Sequence, residues 1–490
     1  MRVRFALNLL FVLSLNLLVK PLWIFGVDRQ VQNLCGATYY GTFFAVYSFS
    51  FLFHILLDFG LNHLNNTQAS RDNAFIKENL SSIIVLKVFL SIAYFLLTIG
   101  LAYMSGFSGQ QMSWLMWLGV NLILLNFILF FRSSIASAQK FILDGFLSVL
   151  DRLLSVIFCF YLIYFQSGRE LFDLDMFVKA QSLALFISVI VSGAAVLTLK
   201  IRLHWVIDID RIKDIFNRSI PFAIQGLLMI MYYRLDGVLL ERLPIQNGAY
   251  HAGIYAASYR LYEAATMVPY LFSTLLLPMF ARMLSSGEDV KPLLRLSGRL
   301  IFLISSATCI IGLFESGPII QFLYPNSDYE WARVFSIMMI TFLPVSMVYI
   351  HGTLLLATMD LRSMNKVVAI GLLINIVLNL ILIPLFQSSG AAVAALATNL
   401  FVSGRYIYKA LVLAGKKTER SEMVSFMLHV LLLAGIGFIC YVLKLHFMVS
   451  MVVIAVSSVG GSLVSGLMKK DDWRNLFYLR TGLKSKTSGV

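Results

Sequence analysis

Apolar segments of about 20 residues recur along the whole of this 490-residue chain. Each is long enough to cross the roughly 30 Å hydrocarbon core of a bilayer as an α-helix. The alternation of apolar and polar residues that membrane β-strands need is absent from the sequence. The pattern predicts an all-α polytopic membrane protein with about 14 transmembrane helices. The predicted spans lie near 5–25, 41–60, 80–104, 113–131, 146–166, 177–199, 219–240, 253–280, 299–316, 331–357, 366–385, 390–413, 424–443 and 447–467.

The distribution of charge agrees with this class and predicts its orientation. Only 13% of the residues are charged, against about 25% in soluble domains. With the N-terminus inside, 28 Lys and Arg residues lie in cytoplasmic segments and four in segments on the other side. Such a bias places both termini in the cytoplasm. It also accounts for the net charge of +14 through contact with membrane lipids, so no nucleic-acid partner is expected.

Two short motifs indicate an internal repeat. Gly36–Gly41 reads GATYYG and Gly248–Gly253 reads GAYHAG, and each opens an apolar segment. The offset between them is 212 residues, or about six spans. An even number of spans gives parallel repeats, and such transporters bind their substrate at the repeat interface.

The repeat predicts how the chain is divided. Helices 1–6 form an N-lobe over residues 1–203, and helices 7–12 form a C-lobe over residues 219–418. The segment 204–218 has apolar residues at helical spacing and is predicted to be a cytoplasmic amphipathic linker. Residues 419–468 hold helices 13 and 14, and 469–490 form a basic cytoplasmic tail.

Charged residues inside two neighbouring spans mark a candidate site. Arg234 and Asp236 lie in the seventh predicted span, and Arg260 and Glu263 lie in the eighth. A charge near the bilayer centre costs about 2.5–3.5 kcal/mol on insertion scales, so it needs a partner or a wet cavity. Arg260 and Glu263 are i, i+3 neighbours and can pair, whereas Arg234 and Asp236 do not face each other. Structural ion pairs and a polar cavity both remain open at this stage.

Further residues are also candidates for the site. Lys20 and Lys87 are basic residues in or near spans, and Tyr259 belongs to a tyrosine-rich helix face that could stack on sugars. Asp58 and Asp151 could bind H⁺ or Na⁺, as could Asp236 and Glu263, or each could pair with a basic residue.

The sequence lacks the signatures of common enzymes. It contains no P-loop and no HExxH motif, and no Ser-His-Asp or paired-carboxylate site is evident. The sequence therefore predicts a protein that is not an enzyme and has no cofactor or metal. We expect its transport to be driven by an H⁺ or Na⁺ gradient or by downstream consumption of the transported product.

Two longer patterns resemble the Wzx-type polysaccharide flippases of O-antigen and capsule synthesis. This family belongs to the multidrug/oligosaccharidyl-lipid/polysaccharide exporter superfamily. The first pattern consists of Tyr40, Gly41, Asp58, Gly60, Leu61 and Arg71. The second consists of Leu235 to Leu240, Gly253 to Leu261, Pro269, and Leu275 to Arg282.

The resemblance implies a fold and a function. It implies two pseudo-symmetric six-helix lobes in a V, followed by two C-terminal helices. The implied activity is translocation of an undecaprenyl-diphosphate-linked oligosaccharide from the cytoplasmic to the periplasmic leaflet of a bacterial inner membrane. The implied partners are the lipid-linked oligosaccharide, membrane lipids, and the polysaccharide polymerase and chain-length machinery. Asp236 matches the acidic residue of the family's seventh helix. By position, Arg234, Arg260, Lys20 and Lys87 are candidates for its cavity cations.

Three other functions are alternatives for a chain with these spans and charges. A lipid II flippase and a cation-coupled drug antiporter belong to the same superfamily. A drug antiporter would favour an acidic and aromatic cavity, and the basic residues within the spans argue against it. A glycosyltransferase or polymerase would need a large catalytic loop, and the connections on the external side are short.

Overall fold

The computed structural model describes residues 18–19, 21–62, 73–107, 109–138, 140–166, 173–198, 209–244, 246–358, 360–415 and 420–468. Within these ranges the backbone is almost entirely helical and forms no strand. The α-helices are α1 Arg29–Cys35, α2 Ala37–Leu52, α3 Ile55–Asp58, α4 Asn73–Met104, α5 Gly109–Ser137, α6 Phe141–Tyr161, α7 Leu174–Leu197, α8 Ile209–Arg242, α9 Gly248–Ser286, α10 Lys291–Phe314, α11 Ser316–Leu323, α12 Tyr329–Ala357, α13 Leu361–Leu413, α14 Arg420–Val442 and α15 Phe447–Val464. Two π-helical stretches, Leu22–Asp28 and Leu162–Gln166, adjoin α1 and α6.

The prediction of an all-α polytopic membrane protein is confirmed. Eleven of the described helices are long and apolar enough to cross a membrane. One of them, α13, has 53 residues and covers both the eleventh and twelfth predicted spans, which meet at a kink at Gln387 (φ 53°). The seventh predicted span lies within α8, which is not among these eleven helices. Most of the first span lies outside the described residues, so about 14 spans remain consistent with the helices.

Helix starts follow local capping chemistry. The Asp173 side chain accepts a hydrogen bond from the Asp175 amide at the start of α7. Asp328 and Asp360 cap α12 and α13 in the same manner. An aspartate at this position satisfies backbone N–H groups that have no partner within the helix. Gly36 (φ 77°) separates α1 from α2 in the left-handed region that favours glycine.

The segment predicted to link the two lobes is described only in part. Residues 204–208 lie outside the described ranges, and from Ile209 the chain is already part of α8, which runs on without a break to Arg242. The basic tail 469–490 also lies outside the described residues. The division into an N-lobe and a C-lobe stays a prediction.

Contacts divide the chain into two compact units. The first unit consists of Met1–Ala264 and Leu372–Ala391, and the second consists of Ala265–Gly371 and Ala392–Val490. The first unit includes α2, all of α8, the first part of α9 and the middle of α13. All the predicted site residues that are described belong to this unit.

Within the first unit, α2 and α9 cross with their backbones in contact. A Cβ atom built on Gly41 would lie 1.8 Å from the carbonyl oxygen of Ala249. One built on Gly253 would lie 2.0 Å from the carbonyl oxygen of Ala37. The two repeat motifs therefore meet reciprocally, because the Gly and Ala of one motif contact the Ala and Gly of the other. Small residues four apart permit this close approach in membranes.

The second unit contains a separate apolar core that joins α10 to α14 and α15. Ala307, Ile310, Leu433 and Ile454 are its buried members. The Ser458 hydroxyl donates to the carbonyl oxygen of Leu303 at 3.0 Å, which ties α15 to α10. A hydroxyl buried in a membrane needs such a partner because no water is at hand.

Candidate functional site

Six residues from four segments of the first unit form a cluster around two arginines. We call it the arginine cluster. Asp28 ends the first π-helical stretch and Tyr47 belongs to α2, while the other members come from α8 and α9. Arg234 lies eight residues before the end of α8, which is about 12 Å along the helix axis. The arginine cluster consists of Asp28, Tyr47, Arg234, Tyr259, Arg260 and Glu263.

Aromatic rings surround the guanidinium of Arg234. Its Cζ atom lies 5.3 Å from the ring centroid of Tyr47, 4.8 Å from that of Phe51 and 5.6 Å from that of Tyr259. A guanidinium that lies over the face of an aromatic ring is stabilised by a cation–π interaction. Arg234 Nη1 is nevertheless buried and has no hydrogen-bond partner among the described residues. The arrangement leaves a donor for which the described residues provide no acceptor.

Arg260 differs from Arg234 because it contacts two carboxylates. Arg260 Nε lies 3.2 Å from Asp28 Oδ2, close enough for an ion pair although the atoms are not aligned as a hydrogen bond. Arg260 Nη1 donates to Glu263 Oε2 at 3.0 Å, as the i, i+3 spacing predicted. The Arg260 side chain is 14% exposed. Its charge is therefore largely compensated by the protein itself.

Asp28 is held in place by neutral donors. The Tyr40 hydroxyl donates to Asp28 Oδ1 at 2.8 Å, and the Gln32 amide donates to Asp28 Oδ2 at 3.1 Å. The Asp28 side chain is only 2% exposed. A buried carboxylate with two donors and one cation is satisfied, so Asp28 is a fixed partner for Arg260.

Asp236 lies in a separate network of neutral residues, which we call the Asp236 network: Asp236, Tyr255, Asn375 and Asn379. The Tyr255 hydroxyl donates to Asp236 Oδ2 at 2.8 Å, and the Asn379 amide donates to Asp236 Oδ1 at 2.7 Å. Asn379 Nδ2 also lies 3.0 Å from Asn375 Oδ1. The buried Asn379 Oδ1 has no partner among the described residues. The network gathers carboxylate and amide oxygens, which are ligands for a proton or a hard cation.

Lys87 and Asp58 form a pair of their own inside the first unit. Lys87 Nζ lies 3.2 Å from Asp58 Oδ1 and donates to Asn126 Oδ1 at 2.9 Å. The Lys87 side chain is fully buried and that of Asp58 is 18% exposed. The ring of Phe130 lies 5.5 Å from Lys87 Nζ. These contacts favour a structural role for both residues.

Replacing Lys87 by methionine is therefore expected to lower stability rather than to remove a substrate contact. Breaking one side of a buried pair costs about 3 kcal/mol or more, because the remaining carboxylate loses its compensation. Adding Asp58→Asn to the Lys87→Met variant should recover more than half of the lost stability. Thermal unfolding in detergent measures both changes. Unchanged stability with lost transport would instead assign Lys87 to the substrate pathway.

The remaining predicted residues are accounted for as follows. Tyr259 stacks with Tyr255, with ring centroids 6.1 Å apart, and contacts Arg234. Asp151 belongs to α6, near Arg152, and lies outside both the arginine cluster and the Asp236 network. Lys20 lies outside the described residues.

Sequence reasoning missed several members of these two groups. Asp28 falls in what was predicted to be a loop, and no spacing linked it to Arg260. Tyr47 and Phe51 are one turn apart in an apolar span, where aromatic residues are common. The Asn375 and Asn379 pair did carry a signal, because two amides at i, i+4 in an apolar span share one helix face.

The Cys35 thiol, which lies outside the predicted spans, has a raised pKa. Burial, and secondarily the charge of Asp173, raises the pKa of the Cys35 thiol to about 12. The thiol therefore stays protonated at neutral pH, and a protonated thiol is a poor nucleophile.

Together, the fold and these groups define a multi-pass membrane protein. It carries buried cations in an aromatic setting and a neutral-donor network around one carboxylate. Residues 9–284 match the model of the polysaccharide biosynthesis protein family, which is more than half of the chain. The chain belongs to that family.

Solved structures of transporters share the fold. The lipid II flippase MurJ in an inward closed conformation has a TM-score of 0.66 at 13% identity, covering 98% of this chain and 100% of that one. An inward-facing multidrug resistance MATE transporter of the MOP superfamily has a TM-score of 0.62 at 11% identity, covering 82% and 98%. A MOP superfamily transporter from Pyrococcus furiosus, described as having a binding pocket of reversed polarity, has a TM-score of 0.56 at 12% identity, covering 84% and 95%. A comparison with curated proteins gives no match.

Proposed function

We propose that this protein translocates an undecaprenyl-diphosphate-linked oligosaccharide from the cytoplasmic to the periplasmic leaflet for surface polysaccharide biosynthesis. It acts as a transporter by alternating access and not as an enzyme. The glycan belongs to an O-antigen, a capsule or an exopolysaccharide. The family supports a polysaccharide pathway, and the fold supports a flippase.

The observation that carries the proposal is the guanidinium of Arg234, whose buried Nη1 has no hydrogen-bond partner among the described residues. Its Cζ atom lies 4.8 to 5.6 Å from the ring centroids of Tyr47, Phe51 and Tyr259, and the polar groups that it offers to a ligand are its N–H donors. A diphosphate accepts such donors through charge-assisted hydrogen bonds. The adjacent tyrosines offer ring faces and hydroxyls to the sugars. The polyprenyl tail stays in the lipid and needs no polar partner.

The proposal also covers the location and the partners of the protein. The protein lies in a bacterial inner membrane with both termini in the cytoplasm, as the excess of Lys and Arg in alternate connections favours. Its partners are the lipid-linked oligosaccharide, membrane lipids, and the polymerase and chain-length machinery that receive the product. Nucleic acid is not a partner. Transport uses no organic cofactor.

Coupling to H⁺ or Na⁺ is assigned to the Asp236 network. Asp236 is buried and its described hydrogen-bond donors are neutral, so its negative charge is available for a cation. Asp236→Asn should keep the network's shape while abolishing the dependence of transport on an imposed H⁺ or Na⁺ gradient. Transport rates measured in vesicles with and without each gradient test this. An Asp236→Asn variant that still responds to the gradient would contradict the assignment.

The test of the function is translocation by purified protein in vesicles. A fluorescent undecaprenyl-diphosphate-linked oligosaccharide is placed in one leaflet, and its loss from that leaflet is followed by a quencher. Wild-type protein should move it, and a variant at Arg234 should not. Complementation of a lipid II flippase deletion would favour the lipid II alternative. A translocation rate that does not depend on the glycan or on the diphosphate, together with export of cationic drugs, would favour the antiporter alternative.

A further inference from the structure

Three arginine side chains interact with the carboxylate of Glu263. Arg260 Nη1 contacts Glu263 Oε2 at 3.0 Å. Arg234 and Arg152 are also close enough to act on the Glu263 carboxylate electrostatically. These guanidinium groups come from three different helices, α6, α8 and α9. A carboxylate surrounded in this way occupies the position where an anionic ligand would gain most from the same cations.

The two carboxylates of the arginine cluster differ in how firmly they are held. Asp28 is 2% exposed and accepts hydrogen bonds from Tyr40 and Gln32. The Glu263 side chain is 42% exposed, so it lies on the open side of Arg260. Glu263 also belongs to the same helix as Arg260, with three rotatable bonds between its backbone and its carboxylate. It can leave Arg260 by rotating its side chain, whereas Asp28 cannot move without breaking its hydrogen bonds.

We propose that Glu263 is an internal substitute for the substrate's diphosphate, occupying the arginines of the empty site and being displaced when the substrate binds. This inference rests on the proposed function and adds a role for Glu263 in substrate release. Asp28 continues to hold Arg260 while Glu263 exchanges with the ligand. The exchange keeps the buried guanidinium groups compensated both before and after binding, and uncompensated buried charge is costly.

The exchange gives Glu263 opposite effects on binding and on turnover. A competing carboxylate weakens binding of the diphosphate, but it also assists departure of the substrate after translocation. Its removal should therefore tighten binding and slow release. A residue with a merely structural role would weaken both binding and transport when it is replaced, so the two roles have different signatures.

The test uses the full-length protein in detergent and farnesyl diphosphate as the probe. Glu263→Gln should bind the probe about 5-fold more tightly or better by isothermal titration, since a competing ion pair is lost. Its turnover in the vesicle assay should fall. Glu263→Asp, which keeps the charge, should retain the wild-type affinity. The matched control is Glu241→Gln, which removes a carboxylate paired with Arg242 at the end of α8 and should change neither quantity.

The outcomes separate this inference from the proposed function. If wild-type protein binds farnesyl diphosphate no better than farnesol, or if the Arg234→Ala variant binds it as tightly as the wild type, the proposed function itself fails. If Arg234→Ala loses binding but Glu263→Gln binds with wild-type or lower affinity, only the substitute role of Glu263 is overturned. Tighter binding in Glu263→Gln with faster turnover would likewise remove its role in release.

Discussion

Replacing Arg234 by alanine is expected to lower the rate of substrate translocation by roughly 10- to 100-fold without reducing the amount of protein in the membrane. Hydrogen bonds to a charged group contribute about 1.5–3 kcal/mol, and each 1.4 kcal/mol is a factor of ten. The substitution removes a donor that has no acceptor among the described residues. Because it breaks cation–π contacts but no described ion pair, folding should tolerate it.

The measurement combines vesicle translocation with the level of surface polysaccharide in cells. Lys179→Ala is the matched control, because Lys179 is an exposed cation within a span of the same unit. Arg234→Lys should be intermediate, since an ammonium keeps the charge but lacks the planar fork that binds a diphosphate through two donors. Normal transport by Arg234→Ala would remove Arg234 from the site, and with it the observation that carries the proposed function.

Three charged residues of the arginine cluster could be picked out from the sequence because a charge inside an apolar span carries a large insertion cost. Arg234, Arg260 and Glu263 stand out against their surroundings on insertion cost alone. Spacing within one helix also predicted the pairing of Arg260 with Glu263. It could not reveal that Asp28 would be the second partner of Arg260, since contacts between distant segments depend on packing rather than on periodicity.

The same cost argument could not separate the roles of Lys87 and Arg234. Both are basic residues inside predicted spans, and the insertion cost treats them alike. Lys87 contacts Asp58 and Asn126, whereas the contacts described for Arg234 are with three aromatic rings. The difference between a structural cation and a binding cation depends on whether neighbouring helices supply acceptors. Only the three-dimensional arrangement contains that information.

The internal repeat was visible in the sequence, but its structural consequence was not. The motifs opening α2 and α9 suggested two related halves. The structure shows in addition that the motifs contact each other, with each glycine against the alanine carbonyl of the other motif. A local two-fold relation between the two motifs would produce this reciprocity, because related residues near an axis meet each other's counterparts. Glycine is required there because a backbone carbonyl occupies the space of its missing side chain.

Replacing Gly41 by alanine is therefore expected to destabilise the protein by about 3 kcal/mol, at the upper end of the range for overpacked sites. The new Cβ would lie 1.8 Å from the carbonyl oxygen of Ala249. That oxygen belongs to a helix backbone and cannot rotate away as a side chain can, so α2 and α9 must separate. Gly253→Ala should have a similar effect, since its Cβ would lie 2.0 Å from the carbonyl oxygen of Ala37.

Thermal unfolding in detergent measures the loss, with Gly100→Ala as the control. Gly100 lies inside α4 with no atom within 4 Å of a built Cβ, so alanine there should be neutral or stabilising by about 0.5–1 kcal/mol. The double variant Gly41→Ala with Gly253→Ala should lose less than the sum of the single losses. Once one new methyl group has separated the helices, the second finds part of its space already open, and coupled neighbours are non-additive for this reason. Fully additive losses would show that the helices adjust to each new methyl group independently. Wild-type stability in either single variant would show that the close crossing of α2 and α9 is not a feature of the folded protein.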